Sequence, residues 1–65
     1  MTVQEAYKYI GMSEKDFPIL DAKILEEVVK TATEPQKRHS KDPHEKKTAE
    51  AWIIFRDEYN KWRSV

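Results

Sequence analysis

The last third of the chain carries apolar side chains at helical spacing. Successive members of the set are three or four residues apart, and on a helix that turns 100° per residue they form one continuous apolar stripe. Asp42 followed by Pro43 can cap such a helix, with the proline in its first turn. The pattern predicts a long helix over residues 43–63. Its stripe consists of Trp52, Phe55, Tyr59 and Trp62.

A shorter pattern at the start of the chain predicts a helix over residues 3–10. Apolar residues recur there at i, i+3, i+4 and i+7, as on one face of an amphipathic helix. Thr2 and Glu5 fit a capping box at its start. Gly11 follows its end, where a left-handed conformation costs glycine least. The apolar face consists of Val3, Ala6, Tyr7 and Ile10.

The middle of the chain predicts a helix over residues 18–33. It starts near Pro18, either with that proline in the first turn or with Asp21 as the cap. Pro35 ends it, because a proline disfavours helical geometry in the residue before it. Residues 36–42 are polar and basic, and we expect a mobile loop there. The apolar face consists of Ile24, Leu25, Val28, Val29 and Ala32.

These patterns predict an all-α protein, a small three-helix domain whose long C-terminal helix lies across the first two. Residues 1–65 are expected to form a single domain, since a chain of this length makes one domain at most. A domain of this size buries only about 60% of the surface that its unfolded chain exposes. The core should combine apolar residues from all parts of the chain. Its expected members are Val3, Tyr7, Ile10, Leu20, Ile24, Val28, Trp52, Phe55 and Tyr59.

Charge and hydropathy narrow the class of protein. The net charge is zero, with four basic and seven acidic side chains in residues 1–34, and eight and five in residues 35–65. No apolar run approaches the roughly 18 residues of a membrane span, and the N-terminal residues lack the pattern of a signal peptide. We therefore expect an intracellular protein with no membrane contact.

Few residues in the sequence suggest a catalytic or metal-binding site. The absence of cysteine removes disulfides, thiolate nucleophiles and cysteine metal sites. His39, Asp42 and His44 place no two ligands on one helical face, whereas metal sites normally show three or four ligands at regular intervals. The serines lack the glycines of a nucleophile elbow, and carboxylates pair with lysines at helical spacing. We expect no enzyme activity, no metal and no cofactor.

The first residues resemble the start of excisionase-type helix-turn-helix proteins. In that family a T-V-x-E-A-A-x-Y-L-G-x-S run precedes the recognition helix, and residues 2–13 read T-V-Q-E-A-Y-K-Y-I-G-M-S. This resemblance implies DNA binding, with residues 13–23 near the major groove.

A longer part of the chain is similar to the non-catalytic helical repeats of large fungal ubiquitin carboxyl-terminal hydrolases. Those repeats have an E-A-Y-x-x-L-G-I helix, an acidic residue before an I-L pair, a proline after the second helix and a closing A-L-x-x-I helix. The resemblance implies a protein-interaction unit without protease activity, because the catalytic residues belong to a different domain. The matching positions are Glu5-Ala6-Tyr7, Ile10-Gly11-Met12, Asp21, Ile24-Leu25, Pro35 and Ala51-Trp52.

Our first expectation for function is a non-enzymatic protein–protein interaction module with a protein partner of unknown identity. Its surface anchors would be the large apolar residues left off the predicted core faces. These are Tyr9, Met12, Ile54 and Trp62.

The alternative is a small DNA-binding, helix-turn-helix-like or phage regulatory protein. Basic side chains of the predicted loop and the helix start would then contact phosphates. A zero net charge instead favours a solvated loop that balances the acidic first half. Binding that weakens strongly with salt would support nucleic acid, and binding that survives salt would support a protein partner. The basic candidates are Lys37, Arg38, Lys41, Lys46 and Lys47.

Overall fold

The computed structural model describes residues 1–37 and 42–64, and all regular structure in these two stretches is helical. Helix α1 spans Val3–Ile10, a 3₁₀ helix spans Glu14–Ile19, α2 spans Ala22–Lys37 and α3 spans Pro43–Ser64. The prediction of an all-α domain with a long C-terminal helix is therefore confirmed. The 3₁₀ helix adds a fourth helical element that the apolar periodicity does not predict.

The ends of α1 follow from Thr2 and Gly11, as predicted. The Thr2 hydroxyl accepts a hydrogen bond from the Glu5 amide at 3.2 Å, which satisfies one of the free donors of the first turn. Gly11 has a φ of 71°, and the amide of Met12 donates to the Tyr7 carbonyl at 3.0 Å. This left-handed residue closes the helix at little conformational cost.

The segment around Pro18 differs from the prediction, because Pro18 lies inside the 3₁₀ helix and not at the start of α2. Ser13 and Asp16 form a capping box, in which the Ser13 amide donates to Asp16 Oδ2 at 2.9 Å. The chain is extended at Leu20. Asp21 then caps α2, since its Oδ1 accepts from the Lys23 amide at 2.8 Å. The second of the two predicted starts is the right one.

The end of α2 also differs from the prediction. The helix continues through Pro35 to Lys37, so the expected end before Pro35 is wrong and two residues of the expected loop are helical. A proline removes one backbone donor and disfavours the preceding helical conformation, but in the last turn it interrupts few hydrogen bonds. Residues 38–41 of the expected loop lie outside the described residues.

The core forms on α3, which makes all the close backbone approaches between helical elements in the described stretches. Phe55 is fully buried, and its ring centroid lies 5.3 Å from that of Phe17 and 5.7 Å from that of Tyr7. The Tyr59 hydroxyl donates to the Leu20 carbonyl at 3.3 Å, which ties α3 to the end of the 3₁₀ helix. The buried cluster consists of Phe17, Leu25, Val29, Phe55 and Tyr59.

The predicted core is correct on α3 and shifted on α2. Phe55 and Tyr59 are buried as expected, and Trp52 is half-buried against them. The assignment of Ile24 to the core is wrong, because 63% of its surface is exposed. Val28, like Val3 on α1, is only half-buried. Leu25 and Val29, which follow these α2 positions by one residue, face α3 instead.

Candidate functional site

An apolar groove runs between α2 and α3. Its volume is about 430 Å³, and it is open to solvent. Five of its six lining residues contribute apolar or hydroxyl side chains, and the sixth is Glu27. A concave surface of mainly apolar character with one charged group is the usual form of a binding site. The groove is lined by Ile24, Glu27, Val28, Thr31, Ala32 and Trp52.

The groove exists because the apolar face of α2 is wider than its contact with α3. Leu25 and Val29 turn into the core, while Ile24 and Val28 lie 100° away around the helix. Within residues 1–37 and 42–64, α1 does not approach α2 closely, so it does not cover these two side chains. An apolar strip is therefore left facing solvent.

Trp52 forms the α3 wall of the groove. Its ring centroid lies 5.9 Å from that of Phe55, with the two planes at 89°, an edge-to-face geometry that fixes the indole. The side chain is half-buried, so its remaining surface faces the groove beside Val28. A rigid, partly exposed tryptophan is a residue type enriched at the centres of interfaces.

A row of charged residues follows the surface of α2 that faces away from the core. Its members are spaced by four, three and four residues, and their signs alternate from positive to negative along the helix. Three- and four-residue steps keep them on one side of α2. All are exposed, and Glu27 also lines the groove. We call Lys23, Glu27, Lys30 and Glu34 the charged row.

A second concavity lies between α2 and α3, shares Glu27 with the groove and has a different character. Its volume is about 390 Å³, and charged groups from both helices border it, including Glu26, Lys30 and Arg56. Ile53 is its large apolar residue and is 37% exposed. Charged groups that can remain hydrated offer little apolar surface to a partner, so this concavity is the weaker candidate.

The four predicted surface anchors lie outside the apolar groove. Tyr9 is 38% exposed, and its hydroxyl lies 2.7 Å from His44 Nδ1 on α3. Met12 is half-buried against the core, and Ile54 is half-buried on α3. Trp62 is 46% exposed, with its ring centroid 5.7 Å from that of Phe17. Tyr9 and Trp62 are thus exposed, whereas Met12 and Ile54 are half-buried.

The sequence pattern does not predict the groove, because it places Ile24, Val28 and Trp52 in the core. The apolar face of α2 was visible as five positions over nine residues, from residue 24 to residue 32. Such a face spans more of the helix circumference than one neighbouring helix covers. That excess width was the available signal.

The predicted basic candidates are only partly described. Lys46 and Lys47 are exposed on the first two turns of α3. Lys37 is the last residue of α2, and its side chain, like Arg38 and Lys41, lies outside what the structure describes. DNA binding through these residues stays a prediction.

Polar contacts join α1 to α3 away from the groove. The Met1 amino group lies 2.9 Å from Glu50 Oε1. The hydrogen bond and the charge of Glu50 raise the pKa of this amino group above its ordinary value. On the core side of α1, burial raises the pKa of the Tyr7 hydroxyl, with smaller contributions from the charges of Glu58 and Glu14. Neither group borders the groove.

Within residues 1–37 and 42–64, no group of three or more histidine, aspartate or glutamate side chains is arranged to hold a metal ion. None of the helices formed by these residues combines the length and apolar character needed to cross a membrane. Comparison with protein-family models, curated proteins and solved structures finds no match to this chain.

Proposed function

We propose that this protein is a non-enzymatic interaction module that binds an amphipathic polypeptide helix in the groove between α2 and α3. The observation that carries the proposal is the outward-facing strip of Ile24 and Val28 beside Trp52. A helix that lays an apolar face into such a groove is a common mode of peptide recognition. A bound helix would cover these side chains. Each Å² of apolar surface that it removes from water contributes about 25 cal/mol of favourable hydrophobic free energy.

The shape of the groove supports a helix over a small ligand. It is open to solvent and carries one charged side chain, Glu27, in its lining. Small-molecule sites usually enclose most of the ligand and offer several converging polar groups. Ile24 and Val28, which are one helical turn apart, match the i, i+4 spacing of apolar residues on another helix better.

Selection from a displayed library of helix-forming peptides tests the proposal. We expect enriched peptides to carry apolar residues at i and i+4 and to perturb the Trp52 indole N–H resonance. Ile24→Glu should weaken their binding at least about tenfold, because it places a charge in the apolar strip. Ile19→Glu is the matched control, since Ile19 is 81% exposed and does not line the groove.

Peptides whose binding is unaffected by Ile24→Glu, or a selection that enriches no peptide, would contradict the proposal. A mixed-sequence DNA duplex, titrated in parallel at low salt, tests the alternative. Shifts at Lys46 and Lys47 that fade with added salt would favour nucleic-acid binding over the groove proposal.

A further inference from the structure

We propose that the helix bound in the groove carries a lysine or arginine beside its apolar residues, and that this cationic side chain pairs with Glu27. The inference rests on the proposed function, because it uses the same groove, and it states the charge of the partner. It is carried by the position of Glu27, a carboxylate in a lining whose other members are apolar or carry a hydroxyl.

Glu27 and Thr31 form a polar rim on the outer side of the groove. Glu27 lies about 60° around the helix from Ile24, since the two are three residues apart. Thr31 stands in the same relation to Val28. Both rotations lead away from the buried side of α2. The groove is therefore asymmetric, with an apolar wall at Trp52 of α3 and a polar rim on α2.

The Glu27 carboxylate has no partner of its own in the structure. Within residues 1–37 and 42–64, it makes no hydrogen bond or ion pair, although Lys23 and Lys30 of the charged row are close to it in sequence. The side chain is exposed, so water hydrates it in the free protein. A helix in the groove displaces part of that water, and a carboxylate that loses water without gaining a partner costs free energy. A cationic side chain on the bound helix offsets that cost.

Lysine and arginine suit this rim because each combines an apolar stem with a charged end. The stem can lie along the apolar strip, while the charged end reaches the Glu27 carboxylate. On a bound helix with apolar residues at i and i+4, positions i+1 and i+3 lie on the two flanks of the apolar pair. The direction in which the helix lies determines which of the two faces the rim.

The rim should contribute more to selectivity than to total affinity. Pairs of charges that stay in contact with water change a binding constant only modestly. They nevertheless disfavour a partner that places a like charge opposite Glu27, and they favour one orientation of the bound helix. Glu27 thus distinguishes between helices that share the same apolar pattern.

The first experiment selects groove-binding peptides from a library with apolar residues at i and i+4 and random residues at i+1 and i+3. With the parent chain we expect lysine and arginine to be enriched at one of the two random positions. Glu27→Lys should replace them with aspartate and glutamate. Glu26→Lys is the matched control, because it makes the same change in net charge at a residue that does not line the groove. It should retain the preference for lysine and arginine.

Calorimetric titration then measures the preference with one selected peptide and its variant that carries glutamate at the enriched position. The cationic peptide should bind the parent chain about 5- to 10-fold more tightly than the glutamate variant. Glu27→Lys should invert this order, and Glu27→Gln should bring the two affinities within about twofold of each other. Added salt should reduce the preference, because it screens exposed charges, while the apolar contribution to binding persists.

The outcomes separate this inference from the proposed function. Peptides that bind the groove with the same flanking residues for the parent and for Glu27→Lys would overturn the pairing with Glu27 and leave the proposed function standing. A preference that Glu26→Lys changes as much as Glu27→Lys does would also overturn the pairing, since net charge alone would then explain it. A selection that enriches no peptide would contradict both. Circular dichroism of each variant verifies that it is folded before these comparisons are made.

Discussion

The apolar face of α2 has two edges, a buried one formed by Leu25 and Val29 and an outer one formed by Ile24 and Val28. They look alike in the sequence and differ in the structure. Leu25 and Val29 are buried against α3, whereas Ile24 is exposed and Val28 borders the groove. Both pairs are aliphatic and spaced by four residues. What separates them is a rotation of 100° relative to α3. Apolar character therefore shows that a helix position can be covered, and the neighbouring helices determine whether it is.

The largest expected effect is on the buried edge. Leu25→Ala should lower the free energy of unfolding by about 2–5 kcal/mol, because it leaves a cavity in the core. Ile24→Ala should cost less than about 1 kcal/mol, since most of that side chain is already in water. Urea unfolding followed by circular dichroism measures both. Equal losses for the two variants would show that the edges do not differ.

Trp52 packs against the core and also lines the groove. Its replacement should therefore have an intermediate effect on stability. Trp52→Ala removes the edge-to-face contact with Phe55, but the indole is only half-buried. We expect a loss of about 2 kcal/mol, less than the 3–5 kcal/mol typical of fully buried aromatics. The same change should abolish groove binding, which Ile24→Ala would only weaken. A variant as stable as the parent would contradict the contact with the core.

The N-terminal cap of α2 affects the buried and the outer edge of its apolar face alike, because it fixes the residue at which the helix begins. Asp21→Ala removes the acceptor for the Lys23 and Ile24 amides. It should cost about 1 kcal/mol, whereas Asp21→Asn should cost much less, since asparagine also caps well. Thermal unfolding distinguishes them. Equal losses for alanine and asparagine would argue against the cap.

The smallest effect concerns Tyr7, on the core side of α1. Its raised pKa means that the unfolded chain ionises first, at about pH 10. The contribution of Tyr7 to stability is therefore complete below that pH and is lost as the pH rises through the folded pKa. Ultraviolet titration of a Tyr9→Phe, Tyr59→Phe chain isolates Tyr7. A titration at the ordinary tyrosine pKa would place Tyr7 in water.

Most of the fold could be predicted from local patterns. The caps at Thr2 and Gly11 and the stripe containing Phe55 depend on residues close in sequence, and the structure agrees with them. The 3₁₀ helix was not predicted, although Ser13 and Asp16 have the spacing of a capping box. Pro18 masks that signal, because a proline is typical of the first turn of a helix and here lies inside the 3₁₀ helix.

The width of the apolar face of α2 indicates that part of it is left uncovered, but the position of the groove could not be predicted, because it depends on how three helices are placed. Periodicity shows that Ile24 and Val28 lie on an apolar face. It does not show that α1 lies too far from α2 to cover them. The exposure of the predicted anchors is likewise a property of the assembled helices: Tyr9 and Trp62 are exposed, whereas Met12 is half-buried.

The position of Trp52 also gives the protein an optical reporter of its own. The chain contains two tryptophans, and Trp62 does not line the groove. In a Trp62→Phe background all indole fluorescence comes from the groove wall. An arriving apolar surface would then shift the emission to shorter wavelength, so the occupancy of the groove can be followed without any added dye.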